Sequence, residues 1–203
     1  MNKKILVLMI LTLALPLCSS GQTVKATDSV NPELRRTYIG LGVGINYAGV
    51  IGVILEQNFG KLSITGGAGL GSWGYKLSGG MRYYTTTPTG VSVVGKGIGV
   101  NYALATGLSK VPINLETSSG TKQNVNVQLS PVHLLNLTYF NCWKLGNGTS
   151  RFGVELGYSI ILNAGDNFKV LDSGVTLSST SLKTLRIIQP GGLVLGLNFT
   201  FGR

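Results

Sequence analysis

Charge is scarce in this chain. Only 12% of its 203 residues are Asp, Glu, Lys or Arg, and the acids number 7. There is one histidine, His133, and there are two cysteines, Cys18 and Cys142. So few soft and imidazole ligands exclude a metal centre of the usual kinds, which need several such side chains together. No run after residue 21 is long and apolar enough for a membrane helix, which takes about 20 such residues. The formal net charge is +10, but the cations are spread singly apart from Arg35-Arg36. No basic cluster interleaves with aromatics, which argues against nucleic-acid binding. Few charges combined with a mean hydropathy of +0.30 argue against disorder.

What the chain does have is glycine, 30 residues of it, and an N-terminus built for export. Lys3 and Lys4 precede an apolar run over residues 5–17, broken by Thr12 and Pro16, and Ser19, Ser20 and Gly21 follow. This is the pattern of a secretory signal peptide over 1–21, with cleavage before Gln22 as the first choice and after Ala26 as the second. Leu17 is too bulky for the residue before an acylated cysteine, so a lipid anchor on Cys18 is disfavoured. Removal of 1–21 leaves Cys142 alone and no disulfide framework. Residues 22–36 read as a short periplasmic segment. The remainder, 37–203, is the length of one domain.

That domain alternates. In 193–203 the odd positions are Leu193, Leu195, Leu197, Phe199 and Phe201, and the even ones are Val194, Gly196, Asn198, Thr200 and Gly202. Successive side chains on a strand point to opposite faces, so one face is wholly apolar and the other small or polar. Similar alternation over 37–46, 49–57, 61–72, 73–84, 91–106 and 150–163 predicts six further strands. An eighth, 124–145, is interrupted at Pro131, and its membrane-crossing part is expected to begin near Val132, because Pro inside a strand marks an edge, a start or a bulge. Eight strands of roughly nine to twelve residues suit a tilted bilayer crossing. The long connections, about 107–131 and 164–190, then fall on the same outer side, as bacterial outer-membrane barrels require. The first is expected to form a hairpin around 116–123 whose strand edges offer a partner-binding surface. The second is expected to hold a short helix over 178–188.

Glu56, Lys76, Arg82, Lys96, Arg151 and Glu155 are assigned to the glycine-rich face. A cation facing lipid at the bilayer midplane costs about 2–4 kcal/mol, so these groups are expected inside, where the two Glu pair with some of the cations and plug the lumen. Aromatics are expected to gather at the two interfaces: Phe59, Tyr83, Tyr84, Trp143, Phe152, Phe199 and Phe201 at the periplasmic ends, Tyr47, Trp73, Tyr75 and Tyr158 at the outer ends. Asp166 and Asp172 could bind a cation, although solvated loop acids are far commoner. Gly40, Gly42 and Gly44 are better read as strand positions than as a nucleotide loop, since no helix follows them.

These features resemble the small eight-stranded outer-membrane barrels typified by the transmembrane domain of outer-membrane protein A. The resemblance covers roughly 37–203. Gly196, Phe199 and Phe201 are similar to the C-terminal signal read by the barrel-assembly machinery, except that Gly202 and Arg203 follow the last aromatic and Val194 stands where a polar residue is usual. The resemblance implies an all-β, antiparallel, up-and-down transmembrane barrel in the outer membrane, with its lipids as surroundings, no cofactor, a monomeric state, and a structural or surface-interaction role at the long loops for an extracellular ligand or protein. The alternative is a small porin. A lipid-modifying barrel enzyme is disfavoured because the His two residues before a Ser, used by lipid A deacylases, is absent: Leu134 and Leu135 follow His133. A soluble exported ligand-binding barrel would turn its apolar face inward.

Overall fold

A computed structural model describes residues 36–45, 49–86, 94–146, 149–163 and 165–203. The expected signal peptide over 1–21, residues 22–35 and Tyr47 lie outside the described residues. In chain order the elements are β1 (Thr37–Ile45), β2 (Ile51–Phe59), β3 (Leu62–Gly71), β4 (Gly74–Thr86), β5 (Val94–Ala105), β6 (Leu108–Glu116), β7 (Lys122–Leu129), β8 (Val132–Lys144), β9 (Ser150–Ile161), β10 (Phe168–Val170), α1 (Ser179–Ile188) and β11 (Gly192–Gly202).

Eight of these strands close a barrel in the order β1-β11-β9-β8-β5-β4-β3-β2, every pair antiparallel. Each barrel strand neighbours the next barrel strand in sequence, so the topology is an up-and-down meander. β1 and β11 close the ring, with Tyr38 opposite Gly202 and Leu41 opposite Phe199. The ladder runs to the last residue, where Arg203 N donates to Thr37 O at 2.8 Å. A closed ring leaves no edge strand in the barrel wall.

The two long connections fold on each other. β6 and β7 form a hairpin, and β10 adds to the free side of β7, giving a second sheet in the order β10-β7-β6. Val125, Val127 and Leu129 alternate along β7 and are buried. α1 starts where Ser178 accepts from Ser181 N at 3.2 Å, and it buries Leu185. These residues join Trp73, Ala103, Ala105, Val132 and Leu134 from the barrel rim in one apolar cluster. The second sheet and the helix are therefore a lid seated on the barrel mouth, at the end opposite Thr37 and Arg203.

The Pro131 break has a clear counterpart. Residues before it form β7 in the lid, residues after it form β8 in the barrel, and Ser130 N donates to Asn167 O at 2.8 Å between them. The hairpin is longer than 116–123, which is only its tip. Its edges are also less open than expected: β10 takes the β7 edge, Thr117 bridges Leu177 beside β6, and Pro112 removes a donor from what remains.

Candidate functional site

Three inward side chains meet across the barrel. Arg82 on β4 donates from Nη1 to Glu56 Oε2 on β2 at 2.8 Å, and from Nη2 to Glu155 Oε2 on β9. The Tyr84 hydroxyl donates to the other Glu56 oxygen. All three charged residues are buried: Glu56 is 5% exposed, Arg82 8% and Glu155 1%. The Arg82 guanidinium also lies 5.0 Å from the Phe140 ring centroid, within cation–π range. One cation thus ties three strands together, and β9 stands three places around the ring from β4.

Glycine makes the room. A Cβ on Gly99 would sit 2.8 Å from Thr138 Oγ1 and 3.2 Å from Arg82 Cγ, and one on Gly97 would sit 2.7 Å from the Phe140 ring. Beside the network, Ile54, Thr65, Ser78, Asn101, Asn136 and Glu155 border a gap of about 20 Å³. That volume is close to what a single water needs. Packing and charge fill the bore at this level, as expected of a barrel of eight strands.

The other expected members are spread out. Arg151 is buried but stacks on Tyr38, its guanidinium 3.7 Å from the ring centroid. Lys76 faces inward and is 4% exposed, yet it stands six residues from Arg82 along β4, roughly 20 Å by strand rise, and lines the mouth instead. Lys96 is a correction. It is exposed on the outward side, because it shares parity with Ile98 and Val100 rather than with Gly97 and Gly99. Its position near the start of β5 keeps it at the rim.

Two of the aromatics are corrected as well, one by parity and one by its place in a turn. Tyr83 is outward, so its neighbour Tyr84 must point inward, where it is 2% exposed against Phe140. Trp73 lies in the turn before β4, buried in the mouth cluster, and its Nε1 donates to Ser130 O at 2.9 Å. Phe59, Phe152, Phe199 and Phe201 are exposed at the terminus-bearing end, and Tyr75 and Tyr158 toward the other. Trp143 stacks on Phe152 at 6.0 Å, and Phe199 meets Phe201 edge to face at 4.8 Å. Gly196 faces inward opposite Gly44 and Glu155. Gly202, the departure from the usual ending, lies under the Tyr38 ring: a Cβ there would be 2.6 Å from Cε1.

In the lid, Arg186 donates to both Asp166 oxygens at 2.9 and 3.0 Å, which holds that carboxyl below its ordinary pKa. Asp172 is lowered too, by the Asn126 side chain at 2.9 Å and then by the Asn126 backbone N–H at 2.8 Å. The two acids thus serve separate partners. No group of three or more metal-binding side chains occurs among the described residues. His133 shares a hydrogen bond with the Tyr102 hydroxyl at the mouth end of β8, and its backbone N–H donates to Asn163. Cys142 is a free buried thiol beside Phe140 and Tyr84.

Polar groups inside, apolar groups outside and a folded cap over one mouth define an inside-out closed barrel with a filled bore. No protein-family model, no curated protein and no solved structure matches the chain.

Proposed function

We propose that this protein is an integral outer-membrane β-barrel, exported by its N-terminal segment, with a non-enzymatic role in envelope structure or surface interaction. The observation that carries the reading is the outward wall. Every barrel strand directs large apolar side chains outward, among them Leu41 at 61% exposure, Ile98 at 59% and Leu193 at 61%. Water-soluble monomers rarely expose apolar patches beyond a few hundred Å². A belt of this kind around a whole barrel is instead the surface a bilayer covers. The acids agree: of 7 in the chain, Glu56 and Glu155 are interior, Glu116, Asp166 and Asp172 belong to the lid, and Asp28 and Glu33 precede the barrel. Barrel strands of 9 to 13 residues are long enough for a tilted crossing, which takes about 9–11.

In this reading the lid faces the exterior and presents the surface for an extracellular ligand or protein. Gly196, Phe199 and Phe201 act as assembly signal and periplasmic interface anchors. The Arg82 network and the apolar mouth cluster weigh against solute passage. Membranes from cells expressing the protein, run on a denaturing gel with and without boiling, test the proposal. Membrane association and a heat-dependent mobility shift are expected; a soluble protein with no shift overturns it. Large steady conductance in planar bilayers would replace the filled barrel with the porin alternative.

A further inference from the structure

Between the barrel rim and the C-terminal turn of α1 lies a cavity of about 390 Å³. Small-molecule sites commonly enclose about 300–1,000 Å³. Val50, Trp73, Ala105, Ile187 and Leu193 supply much of its apolar wall, and Lys76 is the charged residue among the described ones that line it. The polarity runs in one direction. Lys76 is 4% exposed, whereas Val50 and Leu193 are each 61% exposed and Ile187 is 81% exposed. The cavity therefore leads from a buried ammonium to the apolar outer surface of the rim.

A lysine ammonium has three N–H donors, so it can hold an anionic oxygen alongside other acceptors. In apolar surroundings its attraction for an anion is far less screened than in water. A ligand fitting this gradient has a compact anionic head and a single apolar chain. We propose that the cavity binds a single-chain anionic amphiphile, its carboxylate or phosphate head on Lys76 and its chain leaving past Leu193 and Ile187. This inference belongs to the cavity and does not depend on the barrel lying in a membrane.

The chain has 2 tryptophans, and they stand at opposite ends: Trp73 in the cavity wall and Trp143 near the terminus-bearing rim. The full-length protein carrying Trp143→Phe, refolded in nonionic micelles, reports on the cavity by fluorescence; the Trp73→Phe variant reports on general partitioning. Brominated stearate is expected to quench Trp73 saturably and Trp143 only in proportion to bulk partitioning. Lys76→Met should raise the half-saturating concentration about tenfold, and Lys76→Arg should restore it. Ile187→Ser, at an exposed site that folding does not depend on, should raise it several-fold and carries the test if Lys76→Met fails to assemble. Displacement by laurate but not dodecyl phosphate assigns a carboxylate head, and the reverse assigns a phosphate head. Equal displacement by dodecanol, or quenching of Trp73 no different from that of Trp143, overturns the proposal. A boiled and unboiled gel of vesicle-reconstituted samples reads the membrane proposal separately, so either can fail alone.

Discussion

Replacing Arg82 with methionine removes the cation that two buried carboxylates share. At a charge separation of roughly 4 Å and an effective dielectric of about 20, each Arg82–Glu pair attracts by about 4 kcal/mol. Desolvation of the three ions offsets much of that sum in the intact protein, so the network's net contribution is small. The variant is different, because Glu56 and Glu155 remain buried without their partner. Breaking a buried pair in this way costs about 3–5 kcal/mol. The side-chain exposures of 10%, 6% and 1% put the three groups in that regime rather than in the surface regime of about 0–1 kcal/mol. The assay is urea unfolding of vesicle-reconstituted protein, followed by the gel shift and by Trp fluorescence. Arg82→Met should lose about 3–5 kcal/mol, and adding Glu56→Gln and Glu155→Gln should recover at least half of it. A loss below about 1 kcal/mol, or no recovery in the triple variant, refutes a buried coupled network.

Other outcomes follow from the same structure. Trp73→Ala removes the largest side chain of the mouth cluster and should cost about 3–5 kcal/mol, with faster protease cleavage at Lys110 and Lys122 in the lid; unchanged cleavage would mean that the cluster does not hold the lid. Phe199→Ala with Phe201→Ala should lower the amount of assembled barrel in cells, whereas normal assembly would reduce the pair to ordinary packing. Asp172 has a depressed pKa, so its stabilisation is present above the unfolded value of about 3.9 and is lost as pH falls through the lower folded value. Hydrogen exchange at Asn126, corrected for intrinsic rate, should therefore accelerate on acidification below about pH 4, and a pH-independent protection factor would contradict the assignment.

How far the site could be read from the sequence depended on whether a local rule applied. Glu56, Arg82 and Glu155 were found by parity, since a strand fixes which face each side chain takes. Lys96 and Tyr84 show the same rule applied too loosely: each lies one residue from a group on the opposite face, and strict alternation alone sends Lys96 out and Tyr84 in. The partners could not be read at all. Nothing local distinguishes Arg82 from Arg151, yet one bridges two carboxylates and the other stacks on Tyr38. Gly202, which departs from the terminal pattern, is explained by a distant partner, the Tyr38 ring that lies against it.

The sequence by itself determined the eight barrel strands, their inward and outward faces, the break at Pro131 and the Ser178-capped helix. These follow from the two-residue period of a strand and from local capping and proline chemistry, which need no distant partner. Only the tertiary structure decided that the two long connections join as one lid. The residues concerned, Val127 with Val170 and Leu115 with Leu177 and Leu185, are far apart in sequence and meet only because the antiparallel meander sets β5, β8, β9 and β11 side by side, with both long connections at the same rim. Closure decided which cation the two glutamates share, since that choice rests on distance across the bore.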